Sequence, residues 1–175
     1  MRFIILTSVL GGLGLSPLPA FAQESQSAVP AKALTEVMTA RHLDAVAARD
    51  GETGRFVAAL FFPGSQLLVI SARCASTARL QDLLDRREYR EVYMELGTAS
   101  VADSKVFFQD GHADGLRPVM TDAVDIVYER DSVQTILDGD WKKHHLSEAA
   151  YKEKFAAADT LYAQLLSTLV NALKQ

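Results

Sequence analysis

Residues 55–72 read Arg55-Phe56-Val57-Ala58-Ala59-Leu60-Phe61-Phe62-Pro63-Gly64-Ser65-Gln66-Leu67-Leu68-Val69-Ile70-Ser71-Ala72. Two apolar runs, Arg55–Phe62 and Ser65–Ala72, flank the turn signal Pro63-Gly64, which predicts a β-hairpin. Both runs are close to continuously apolar instead of alternating. Such strands are covered on both faces, so this hairpin is expected in the middle of a sheet.

Working outward toward the C-terminus, Ser76 is a candidate N-cap for a helix carrying Leu80, Leu83 and Leu84 on one face. Arg86 and Arg87 fall in its last turn, where cations suit the helix dipole. The period then changes. Val92, Met94 and Leu96 alternate with Glu91, Tyr93 and Glu95, which predicts a strand over Glu91–Leu96. Gly97 to Asp103 read as a loop. Further strands are expected at Lys105–Gln109, Val124–Glu129 and Val133–Leu137. Leu146, Ser147 and Tyr151 have the spacing of a hydrophobic staple. From there Tyr151, Phe155, Ala158, Tyr162, Leu165, Leu169 and Leu173 recur at alternating steps of four and three. The pattern predicts a helix of roughly 27 residues, about 40 Å long, against a domain about 30 Å across. Such a helix overhangs, lies along the full diagonal, or meets a second copy, so a homodimer through this helix is one expectation.

Toward the N-terminus, Lys32 to about Ala48 carries apolar residues at mostly helical spacing, and Asp50-Gly51 stops it. Residues 23–31 are polar and read as a flexible leader. Residues 1–22 have the form of a secretory signal peptide. Arg2 is the charged start, Phe3–Leu15 the uncharged apolar run, and Ala20-Phe21-Ala22 the cleavage site before Gln23. The run is too short to span a bilayer, and charges interrupt every later apolar run. The expected address is therefore periplasmic or secreted. The residue immediately after the cleavage site is Gln23 and not cysteine, so no lipid anchor is expected there.

The whole chain of 175 residues is 49% hydrophobic and 23% charged, which is globular composition and sets residues 32–175 as one domain. A net charge of −4 argues against nucleic acid as a partner. Cys74 is the only cysteine, which excludes an internal disulfide and a thiolate zinc site. It follows a strand-like run and reads as a small buried hydrophobe. Strands joined by short turns, with few intervening helices, indicate an α+β fold. The expected architecture is a mostly antiparallel sheet or split barrel of about six strands with flanking helices.

The order Asp50-Gly51, hairpin, Ser76-Thr77-Ala78-Arg79-Leu80 and strand Glu91–Leu96 resembles the FMN-binding split barrels related to pyridoxamine phosphate oxidase, over residues 43–110. The resemblance lies in element order more than in identities. It implies that Arg73, Ser76, Thr77 and Arg79 hold the FMN phosphate. A second analogy, to profilin-like domains of the roadblock type, fits the early order of helix, two strands and helix, and carries no motif. Apart from any family, Ser76, Thr77 and Arg79 at a helix start suit a phosphate or carboxylate, since free N–H groups and partial positive charge gather there. A plain N-cap with a surface arginine accounts for the same residues.

Two other stretches carry chemistry. Asp110-Gly111-His112-Ala113-Asp114-Gly115 echoes the start of a calcium loop, but His112, Arg117 and Thr121 depart from that pattern. An ordinary polar turn is the better reading, and no metal site is assigned. Trp141-Lys142-Lys143-His144-His145 combines an aromatic with cations and suits an anionic ligand or a partner surface. A solvated connector whose Trp141 packs on the sheet is the simpler reading. No nucleophile elbow, zinc-protease motif, P-loop or dinucleotide fingerprint occurs. The expected function is non-catalytic binding of a ligand or partner, with an FMN-binding split-barrel oxidoreductase as the alternative.

Overall fold

The computed structural model describes residues 25–49, 55–74, 102–117, 125–130, 134–138 and 142–175. The expected helix after Ser76 and the expected strand Glu91–Leu96 lie outside the described residues. In chain order the described elements are α1 (Ala28–Ala40), β1 (Ala45–Arg49), β2 (Phe56–Phe62), β3 (Gln66–Cys74), β4 (Ala102–Asp110), β5 (Ile126–Arg130), β6 (Gln134–Leu137) and α2 (Glu148–Lys174). The six strands form one antiparallel sheet in sequence order, with β1 at one end and β6 at the other. This is an α+β fold with an open sheet.

The hairpin of β2 and β3 forms as the sequence predicts. Ser65 N–H donates to the Phe62 carbonyl at 2.9 Å, and Gly64 has φ 73°. Pro63 then takes the i+1 place and Gly64 the i+2 place of a type II turn, which needs positive φ there. Both faces of the hairpin are buried. Val57, Ala59, Phe61, Leu67 and Val69 join the cluster under the two helices. Phe56, Ala58, Leu60, Leu68 and Ile70 form a second cluster on the opposite face, with Phe107 packed against it. Near-continuous hydrophobicity thus does correspond to burial on both sides.

The first helix differs from the expectation. It starts at Ala28, so residues 28–31 belong to it and not to a flexible leader, and it stops at Ala40 instead of Ala48. Pro30 is tolerated because the N–H groups of a first turn have no partner within the helix. The stop is a Schellman motif without glycine. Leu43 N–H reaches the Met38 carbonyl at 2.8 Å, His42 N–H reaches Thr39 at 3.2 Å, and His42 takes the left-handed φ of 53°. The remaining residues, Ala45–Arg49, pair with β2 as a strand. Alanine has no preference for strands, so here pairing and packing overrule propensity.

The last helix runs 27 residues, with Ser147 Oγ accepting from Ala150 N–H at 3.2 Å as its N-cap. Its buried stripe runs from Tyr151 to Val170, about 29 Å at 1.5 Å per residue, close to the width of a small domain. Leu169 is fully buried and Leu173 packs against the same core. The helix therefore does not overhang at its leucine-rich end, where Leu169 and Leu173 pack on the core of their own chain. Among the described residues, no helix is long and apolar enough to cross a membrane.

Candidate functional site

Antiparallel pairing fixes which sequence-distant residues share an end of the sheet. At one end, β4 closes on Asp110, Asp125 precedes β5, and Asp159 of α2 lies beneath the N-terminal segment. All three carboxylates are buried. Asp110 accepts Asp114 N–H at 3.1 Å and Gly115 N–H at 2.8 Å, and Tyr162 donates its hydroxyl at 3.4 Å. Asp125 accepts Gly111 N–H at 2.9 Å and Arg117 N–H at 2.8 Å. Asp159 accepts Gln26 N–H at 2.7 Å, Ser27 N–H at 3.2 Å, Ser25 Oγ at 2.7 Å and Ser27 Oγ at 2.5 Å. Ser27 Oγ in turn accepts Leu116 N–H at 2.9 Å.

This arrangement is a structural joint. Ser27 makes no side-chain cap of its own, and α1 has no acid in its first turn. Asp159 supplies both the acceptor and the negative charge from another helix. The joint is tight. A Cβ on Gly115, whose φ is +95°, would lie 2.6 Å from Ala28 N and 2.9 Å from Ser25 Oγ. Burial raises the Asp110 carboxyl against the opposing hydrogen bonds from Gly115 and Asp114. Burial likewise pushes Asp125 up to about 6, with Gly111 and Arg117 opposing. Tyr162 is fully buried beside Asp110, and both effects push its hydroxyl up, so it remains a donor.

Asp110 and its turn thus form the polar turn that the sequence favours, with both carboxylate oxygens engaged by N–H groups. Arg117 pairs with Asp114 on the outside of the turn. Among the described residues, no group of three or more His, Cys, Asp or Glu side chains is placed to hold a metal ion. The basic connector is occupied as well. Asp138 takes His144 Nε2 at 2.7 Å and Lys143 Nζ at 3.4 Å. Lys143 and His144, two of the residues expected to face an anionic ligand, are therefore engaged by Asp138 within the chain, and Trp141 lies outside the described residues.

Basic positions cluster at the other end of the sheet, with Asp103 of β4 and Glu129 of β5 among them. Register pairing places Arg49, Phe56, Ala72, Lys105, Arg130 and Gln134 in one row across β1 to β6. One position beyond Ala72, Arg73 pairs with Ser104, and the register shifts between Arg73 and Cys74. Arg55 donates to the Ser71 hydroxyl at 3.1 Å and to the Ser71 carbonyl at 3.4 Å. Of the four residues expected to bind phosphate, Arg73 is placed in β3 at this end. Ser76, Thr77 and Arg79 lie outside the described residues.

The sequence by itself does not single out Lys105 or Arg130. Lys105 begins an expected strand, and Arg130 falls in an expected turn. Their juxtaposition follows only from the pairing of β4 with β5. No family model matches the chain, and no curated protein and no solved structure is significantly similar to it.

Proposed function

We propose that the chain is an exported, non-catalytic domain that binds a small anionic ligand, with Arg73, Ser76, Thr77 and Arg79 among its candidate contacts. The observation that supports this reading is a surplus of basic positions at one end of the sheet: Arg55 before β2, Arg73 in β3, Lys105 in β4 and Arg130 in β5, against Asp103 of β4 and Glu129 of β5. A local surplus of positive charge favours an anion there even though the whole chain carries −4. Periplasmic or secreted location follows from the leader pattern of residues 1–22.

The test uses chain beginning at Gln23. Millimolar inorganic phosphate, and separately FMN, is expected to raise the melting temperature by mass action. An unaltered melting curve with both would overturn the reading. A purified protein that is yellow, with the visible absorbance of oxidised flavin, would replace it by the split-barrel flavoprotein.

A further inference from the structure

The segment that enters α1 is held from a distance. Ser25 donates its hydroxyl to Asp159 at 2.7 Å, Gln26 and Ser27 donate their N–H groups at 2.7 and 3.2 Å, and the Ser27 hydroxyl donates at 2.5 Å. Ser27 is fully buried. The expected cleavage bond, between Ala22 and Gln23, precedes Ser25 by only two residues, Gln23 and Glu24. We propose that the Asp159 clasp closes this processing junction, so that the leader is removed while the clasp is open and Ser25–Ser27 dock afterwards. This rests on the leader reading above and adds an order of events: cleavage first, completion of the fold second.

Three observations support it. The first is reach. Even a fully extended stretch carries the bond only about 10 Å from Ser25. Packed layers of protein lie about 10 Å apart, so a peptidase cleft closing around the bond has no room for its wall beside the folded body. Susceptibility to cleavage follows the burial and hydrogen bonding of the neighbouring backbone, and here two N–H groups and two hydroxyls are taken. The second is the absence of slack. A Cβ on Gly115 would lie 2.6 Å from Ala28 N and 2.9 Å from Ser25 Oγ, so the segment cannot slide along the joint to free the bond. Leu116 N–H, donating to Ser27 Oγ at 2.9 Å, fixes the same register. The third is timing. The clasp joins Ser25 to a residue 134 positions away on the last helix. It forms only after α2 and the turn after β4 are in place, which leaves the junction open in the unfolded chain.

The experiment uses the full chain, leader included, diluted from urea into mild detergent. A signal peptidase is added either at the moment of dilution or after refolding, with circular dichroism reporting the fold and mass spectrometry the cut. Three chains are compared: the unaltered one, Asp159→Asn, and one with six Gly and Ser residues inserted between Glu24 and Ser25. The insert leaves the clasp intact and carries the bond up to about 20 Å further out. The unaltered chain is expected to be cut before Gln23 when the peptidase is present at dilution, and at least about tenfold more slowly once folded, because only the open form is cut. The insert variant is expected to be cut at the same rate at both times, and folded Asp159→Asn faster than the folded unaltered chain. Equal rates for the unaltered chain at both times would overturn the proposal and leave the leader reading standing. Slow cutting of the folded insert variant, or of a folded Asp159→Asn chain, would place the block elsewhere and also overturn it. No cut before Gln23 at either time would overturn the leader reading and this proposal with it.

Discussion

The two ends of the sheet treat charge in opposite ways. At the end of Asp110, Asp125 and Asp159, each buried carboxylate meets two or more donors, six of the nine being backbone N–H groups. At the end of Lys105 and Arg130, basic positions are brought together by the strand register, with Asp103 and Glu129 among them. The first end resembles what folding stability demands, since a buried charge is tolerated only when hydrogen-bonded. A buried acidic cluster attracts notice as a catalytic or metal centre. In this chain its carboxylates are engaged by donors of the fold itself.

The sharpest way to break the comparison is at Asp159. Asp159→Ala leaves two backbone N–H groups and two serine hydroxyls of the N-terminal segment without their acceptor. The expected loss is about 3–5 kcal/mol in chemical denaturation. A loss below about 0.5 kcal/mol would show that the acidic end is not a fastening. Next in size is Gly115→Ala. It combines a positive φ with a Cβ driven into Ala28 and Ser25. A destabilisation of about 2–4 kcal/mol is expected, with faster proteolysis of the N-terminal segment. Unchanged protection of that segment would mean that the close approach at Gly115 does not hold it.

The smallest effect is on pH dependence. The folded Asp125 carboxyl is raised to about 6 from 3.8. The folded chain therefore binds a proton that the unfolded chain has released between those values. The stabilisation is full below the unfolded value and is lost as pH rises through about 6. Asp110 is shifted in the same direction. Asp125→Asn is expected to lessen the fall in melting temperature between mildly acidic and neutral pH by a few degrees. Parallel curves for the two proteins would place the titration elsewhere.

Legibility in the sequence followed the range of the interaction. The Pro63-Gly64 turn, the doubly buried hairpin and the staple of Leu146, Ser147 and Tyr151 are read from neighbours along the chain, and all three are local devices. The end of α1 is hidden in the sequence because its left-handed residue is His42, where glycine or asparagine is the usual signal. β1 is hidden because Ala45-Val46-Ala47-Ala48 favours a helix locally, and only pairing with β2 makes it a strand. The basic stretch Lys142–His145 suits an anionic ligand or a partner surface in the sequence, and only tertiary placement brings Asp138 to His144 and Lys143.

By itself, then, the sequence determined the antiparallel α+β character, the central hairpin and the long C-terminal helix, because turn chemistry and hydrophobic period are properties of adjacent residues. Tertiary structure alone decided three things: that Leu169 is covered by its own chain, that Asp159 caps a helix more than a hundred residues away, and that Lys105 faces Arg130. Each depends on which surface or strand lies opposite, and an apolar stripe, an aspartate or a lysine looks the same in sequence whatever it meets. Register is a relation between strands, fixed by turns and by burial of one face, so charges distant in sequence become neighbours only once the sheet is paired.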